Sequence, residues 1–213
     1  MAKVSGGTRA GSSSNPKGVG GGGGNSEAVE WYVSGEGMWI NQYLRGKMDA
    51  GELSPYEKDM LNKLDSATSK ELGKEQTLYR SVDASAIFGP MSDMQYVNLQ
   101  SYVVYGNNQK IIASDAQQTL AKAQGTRTDN GFMSTTKDES LASDWRDFTG
   151  SEHPIVLKMQ TSKTTKGRDL TRSDKALNER MGQSEVLLGK GQRYKIGKVY
   201  GKNGNIYVEV KLQ

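Results

Sequence analysis

The stretch Gln183-Ser184-Glu185-Val186-Leu187-Leu188 decides how this chain is read. It is a short apolar run with a carboxylate at its start, and strand alternation places Glu185 on the face of Leu187. A glutamate kept only for solvation belongs on the other face, because a charge taken out of water is costly unless it is paired. Upstream, Leu78-Tyr79-Arg80-Ser81-Val82 puts Arg80 on the face of Leu78 and Val82. A guanidinium there needs either a structural carboxylate or an anionic ligand such as a diphosphate, which its planar fork of donors suits. Between the two, Gly131-Phe132-Met133-Ser134-Thr135-Thr136 leads from a glycine-aromatic turn into a hydroxyl-rich segment. By itself that segment is ordinary strand composition.

Around these stretches the pattern is helices first and strands later. A helix starts near Ser26 and carries Trp31, Ser34-Gly35-Glu36-Gly37 breaks it, and Met38 to Arg45 resumes it. Ser54-Pro55-Tyr56-Glu57 is a helix start, with a capping serine, proline in the first turn and glutamate three residues on. Met60, Leu61, Leu64 and Ala67 then share a face, and Gly73 is the expected end of that helix. Ala113 to Ala123 reads as a further helix. Strands are expected over Gln76 to Val82, Pro154 to Gln160, Ser184 to Leu188, Tyr194 to Val199 and Ile206 to Leu212, with Asn203-Gly204 as a two-residue hairpin turn. This order predicts an α+β domain and not a wound βαβ sheet.

Residues 1–26 hold nine glycines and five serines, with Lys3, Arg9 and Lys17 and no acidic or aromatic residue. They read as a disordered basic arm, because they bury too little apolar surface to offset their ordering entropy. A linker, a docking or packaging arm, and a basic strap on nucleic acid all fit that composition. Residues 27–213 carry 25 basic and 24 acidic side chains, a balance that argues against a clustered basic face and so against a nucleic-acid-binding domain. With no cysteine, disulfides and thiolate chemistry are excluded, and a single histidine argues against a histidine-rich metal site and a serine-histidine-aspartate triad. His153 precedes Pro154 and reads as a turn residue before it reads as a general base. No apolar stretch is long enough to span a membrane, and the N-terminus has no apolar signal region. The expected location is cytoplasmic, in the producing cell or in a target cell.

The order Arg80, then Ser134-Thr135-Thr136, then Gln183-x-Glu185 resembles the signature of mono-ADP-ribosyltransferases that cleave NAD. It is similar in particular to the clostridial Rho-modifying exoenzymes and related bacterial or phage toxins, from about residue 27 to 213. The resemblance implies two small packed β-sheets flanking an NAD cleft, with helices mainly in the N-terminal half. Glu185 is then the catalytic carboxylate, stabilising the oxocarbenium charge that develops when nicotinamide leaves, as in glycoside cleavage. Ser134 holds Glu185 by a hydrogen bond, and Arg80, with its neighbour Ser81, meets the phosphates and ribose of NAD. Gln183 selects the acceptor. Family members with glutamate there modify arginine, whereas an amide suits an asparagine or glutamine side chain or a nucleobase. Asn41 and Arg45 in Ile40-Asn41-Gln42-Tyr43-Leu44-Arg45 would also face NAD, and Phe148 would pack on its nicotinamide.

Three departures qualify the resemblance. The third hydroxyl of the serine-threonine run is Thr136, where serine is usual. The arginine that follows the Phe-x-Gly loop in the Rho-modifying group is replaced by Ser151, Glu152 and His153, which leaves Arg146 to supply a phosphate contact. Arg180 stands where that group has an aromatic residue, so Rho is not carried over as the target. The implied activity is transfer of ADP-ribose from NAD, with no metal, to a protein or nucleic-acid acceptor, by a toxin or a phage-encoded effector. The alternatives are an NAD glycohydrolase with water as acceptor, and a structural component of a phage particle or its delivery machinery that carries this domain.

Overall fold

A computed structural model describes residues 24–37, 39–144 and 151–213. Three helices open the chain: α1 (Asn25–Val33), α2 (Ile40–Leu44) and α3 (Pro55–Ala67). The predicted start of α3 is present in full. Ser54 Oγ accepts from the Glu57 amide at 3.3 Å, and the Glu57 carboxylate accepts from the Ser54 amide at 2.7 Å. The helix ends at Ala67, six residues before Gly73. Thr68 Oγ1 donates to the Leu64 carbonyl at 2.9 Å, and Ser69 Oγ to the Ser66 carbonyl at 2.8 Å, so hydroxyls satisfy the last carbonyls. The chain then runs extended, and the Leu72 amide donates to the Thr165 carbonyl.

The strands are β1 (Thr77–Asp83), β2 (Thr126–Asp129), β3 (Met133–Thr136), β4 (Pro154–Gln160), β5 (Gly167–Asp169), β6 (Glu185–Leu188), β7 (Gln192–Lys202) and β8 (Asn205–Leu212). Five run in the order β2-β7-β8-β4-β1, antiparallel except for β4 beside β8, and three in the antiparallel order β3-β6-β5. The two groups join through β1 and β3, which share the single register pair Tyr79 and Thr136. The expected pair of small sheets is therefore two strand groups seamed into one eight-strand order. The predicted hairpin closes β7 onto β8, with Asn203 and Gly204 both at positive φ (50° and 77°), as a type I′ turn requires.

Between the groups lies one core, where Leu78, Leu157, Met159, Val208 and Val210 of the first meet Met133, Val186 and Leu188 of the second. The far side of the second group packs Leu187 and Phe132 against Val29, Trp31, Ile40, Met60 and Leu64 of α1 to α3. Strand β6 is thus buried on both faces. Helices α4 (Ser85–Phe88), α5 (Asp93–Val103) and α6 (Lys110–Lys122) follow β1, and Phe88, Leu99 and Ala116 add to the first core. Helix α5 has a capping box, Ser92 with Gln95, but only Leu99 of it is buried, so its sequence shows no apolar stripe. Short helices α7 (Glu139–Asp144), α8 (Leu170–Ser173) and α9 (Lys175–Met181) complete the described chain. Replacing Ser54 by alanine should lower stability by about 1 kcal/mol through loss of the α3 cap, read as an earlier urea midpoint with an unchanged slope.

Candidate active site

Glu185 begins β6 and is 1% exposed. Ser134 Oγ donates to its Oε1, across the β3-β6 ladder in which Thr136 pairs with Glu185. Oε2 is buried and has no hydrogen-bond partner among the described residues. Burial pushes this carboxyl up to about 7, against the Ser134 hydrogen bond and the Arg80 charge, which pull it down. One oxygen is therefore held and the other is buried without a partner among the described residues.

The turn that carries Gln183 is clamped at three successive backbone positions. Thr136 Oγ1 donates to the Gln183 carbonyl at 2.6 Å, the Lys137 amide to the Ser184 carbonyl at 3.1 Å, and the Glu185 amide to Asn178 Oδ1 of α9 at 3.1 Å. These bonds hold Ser184 at φ 46°, a conformation a non-glycine residue seldom adopts. Thr136 thus keeps a hydroxyl at work where serine was expected. Helix α9 ends at Gly182 in the left-handed conformation, which delivers Gln183, half-buried, two residues before the carboxylate.

Arg80 on β1 is half-buried, and its Nη1 is buried with no partner among the described residues. Its charge acts on Glu185, Tyr32 and Tyr194, so it stands at the junction of the two strand groups. Ser81 does not stand beside it. Register pairs Ser81 with Val156, which packs with Ala142 and Tyr207 on the back of the strand. The Ser81 hydroxyl is buried and unpartnered there among the described residues, on the opposite face from Arg80.

Asn41 on α2 and Arg45 at its end are brought, with Arg80 and Glu185, around Tyr32, but already have partners. Asn41 Nδ2 donates to Tyr32 Oη at 2.7 Å and to the Phe132 carbonyl at 3.1 Å, and Asn41 Oδ1 accepts from the Phe132 amide at 2.8 Å. The buried amide therefore pins the turn that leads into Ser134. Arg45 forks onto Asp129 through Nε and Nη2, both at 2.9 Å, and Asp129 Oδ1 also accepts from the Gly131 amide. Gly131 is crowded from that side: a Cβ there would lie 2.6 Å from Asn41 Oδ1 and 3.0 Å from Arg45 Nη2. Tyr32, Asp129 and Asn178 escaped the sequence reading. Asp129-Asn130-Gly131 carried a turn signal, whereas nothing in the sequence marked Tyr32 or Asn178.

Phe148 and Arg146 lie outside the described residues, as does the side chain of Arg180. His153 is buried with its Nε2 2.9 Å from Asp93 Oδ1 and its ring 5.0 Å from that of Tyr96. It ties the start of β4 to α5 and gives no sign of a base beside Glu185. The arrangement can hold an anionic, ribose-bearing ligand against Arg80 while presenting one carboxylate oxygen to a developing positive charge.

The family model described as ADP-ribosyltransferase exoenzyme matches residues 24–212. Three solved structures show the same fold. A C3 protein from S. aureus, solved with NAD, is 22% identical with a TM-score of 0.65, the match covering 90% of this chain and 87% of that one. The Clostridium limosum C3 exoenzyme is 18% identical with a TM-score of 0.63, covering 90% and 86%. An ADP-ribosyltransferase from Clostridium botulinum, in a triclinic crystal form, is 20% identical with a TM-score of 0.61, covering 90% and 87%. No curated protein matches the chain.

Two stability tests follow from this geometry. The folded pKa of Glu185 is raised, so the folded chain binds a proton that the unfolded chain has already released. Stability is therefore lost as pH rises from about 4.5 toward 7, by roughly 3 kcal/mol in all. Glu185→Gln should melt like the parent at pH near 5 and markedly higher at pH near 8; equal shifts at both would overturn the assignment. Gly131→Ala should cost about 1–3 kcal/mol by forcing Asn41 off the Phe132 backbone, visible as an earlier denaturant midpoint.

Proposed function

This chain belongs to the ADP-ribosyltransferase exoenzyme family, and we propose that it breaks the nicotinamide–ribose bond of NAD and passes ADP-ribose to a macromolecular acceptor bearing an amide or a nucleobase. The observation that carries this reading is the buried Glu185, held through one oxygen by Ser134 and unpartnered at the other among the described residues, within the field of Arg80. Two buried polar atoms without partners, Glu185 Oε2 and Arg80 Nη1, match what NAD offers. Arg80 Nη1 donates to a phosphate or ribose oxygen. Glu185 Oε2 accepts from the ribose 2′-hydroxyl and faces the anomeric carbon as positive charge grows on it.

The raised pKa of Glu185 supports this division of labour. Its carboxylate is poorly solvated by burial, so a cation arriving beside it gains more than it would in water. The nicotinamide of bound NAD carries positive charge, and the transition state moves that charge onto the sugar. Glu185 interacts with both, and most strongly with the second, which is the condition for rate enhancement. Asn41, with its three bonds, acts by holding Phe132 and the strand behind it. Arg45 reaches an NAD phosphate only by sharing its fork with Asp129. Gln183 stands at the mouth of the site on a turn its neighbours immobilise, so its amide meets the acceptor in one orientation. An asparagine or glutamine side chain, or a base edge, matches both its donor and its acceptor.

Labelled NAD and a bacterial lysate test the reading. Glu185→Gln should lower nicotinamide release by at least about a thousandfold while the protein remains folded. A smaller loss would remove Glu185 from the chemistry. Label that nuclease removes identifies a nucleic-acid acceptor, label that protease removes identifies a protein, and release without transfer identifies water. At limiting NAD, the rate should climb as pH rises through about 7 and then level, with the climb at lower pH once NAD saturates the site. Gln183→Glu should keep NAD cleavage and move labelling toward arginine acceptors such as agmatine; unchanged acceptor preference would show that the target is chosen elsewhere.

A further inference from the structure

The five-strand group turns one face away from Arg80, and that face is lined with lysine. Lys195 of β7 and Lys211 of β8 are direct register partners, both are exposed, and neither has a carboxylate within ion-pair distance among the described residues. Like charges directly opposite on adjacent strands destabilise a sheet. They open onto a groove of about 330 Å3, whose wall also includes Lys158 and Glu209, paired at 3.2 Å. Farther along the same face, Tyr200 and Tyr207 stack with centroids 5.5 Å apart. Lys198 lies 5.6 Å from the Tyr200 ring centroid and Lys202 5.8 Å from that of Tyr207. The near-neutral sum of residues 27–213 thus conceals one basic, aromatic-bearing face.

We propose that this face binds the phosphodiester backbone of a single-stranded nucleic acid, with the opposed Lys195 and Lys211 over the groove as the phosphate site and Tyr200 as a stacking surface. The charge calls for an anion. The half-buried Tyr200 farther along the same face favours a nucleic-acid strand, in which every unit carries a flat ring to stack, over an acidic polypeptide. The site lies on the other face of β1 from Arg80, so its occupancy is independent of NAD. It makes no use of the catalytic reading above and stands or falls apart from it.

Fluorescence anisotropy of a labelled oligothymidylate, without NAD and with Glu185→Gln protein, measures this binding directly. Oligothymidylate should bind, and K195E/K211E should bind at least about tenfold more weakly, with the slope of log affinity against log salt shallower by about 1 to 2. The neutral pair K195Q/K211Q, which removes a repulsion and should fold at least as well, should weaken binding in the same direction. Tyr200→Leu should weaken it with the salt slope kept, and Lys58→Glu, on α3, should change nothing. Three results would overturn the proposal: no binding by the parent, equal binding by the double variants, or displacement of the oligonucleotide by polyglutamate at matched charge.

Discussion

A carboxylate buried on a strand that has no solvent face is the constraint on which the rest depends. Strand β6 gives Val186 and Leu188 to one core and Leu187 to another, so its first residue has little water whichever way it points. A glutamate there must be held, partnered and left one opening. Ser134 holds it through the β3-β6 register, Arg80 supplies the field, and Oε2 is the oxygen left unpartnered among the described residues. Desolvation dominates the competition and leaves the carboxyl up to about 7. The fold is thereby less stable near neutral pH than it would be with a glutamine, and under the proposed function that same deficit is what a positively charged transition state would relieve.

A second layer of polar contacts keeps this arrangement in place. Tyr32 and Asn41, from α1 and α2, grip the backbone of Phe132, and Asn178 of α9 holds the amide of Glu185 itself. These side chains are committed to protein, and their value to the reaction lies in fixing where Ser134 and Glu185 stand. A loose version of the same pocket would put the carboxylate within reach of the sugar only part of the time, and positioning of that kind accounts for much of an enzyme's rate.

The sequence made the fold legible wherever a local rule was strong. The capping serine before Pro55 placed α3, alternation placed β1 and β8, the apolar run after Pro154 placed β4, and Asn203-Gly204 placed a hairpin. Where burial was slight the signal was slight, as in α5, which buries only Leu99. Glu185, Ser134 and Arg80 were readable because a charged or hydroxyl residue among apolar neighbours needs a reason. Asn41 and Arg45 were readable as a helical pair, but their partners were not. Phe132 and Asp129 lie some 90 residues away, and no local pattern reports a contact at that separation. Clustered lysines were missed for the same reason: net charge is a sum, whereas a surface is an arrangement, and β7 and β8 place side by side what the chain holds 16 residues apart.

The seam between the strand groups is where these threads meet. Tyr79 and Thr136 are the only register pair that joins β1 to β3, and each sits beside a reactive residue. Tyr79 precedes Arg80 in the chain, and Thr136 is the cross-strand partner of Glu185 while its hydroxyl holds the carbonyl of Gln183. The placement of the Arg80 guanidinium relative to the Glu185 carboxylate is therefore set by this seam together with the core the two groups share. Long ladders hold each group rigid on either side, with seven register pairs between β1 and β4 and four between β3 and β6. Between them the shared core packs Leu78, Leu157 and Val208 against Met133, Val186 and Leu188, so the two groups are fixed by packing as well as by the one register pair. Threonine at position 136 adds a β-branched side chain there, which restricts its χ1 while keeping the hydroxyl on the Gln183 carbonyl.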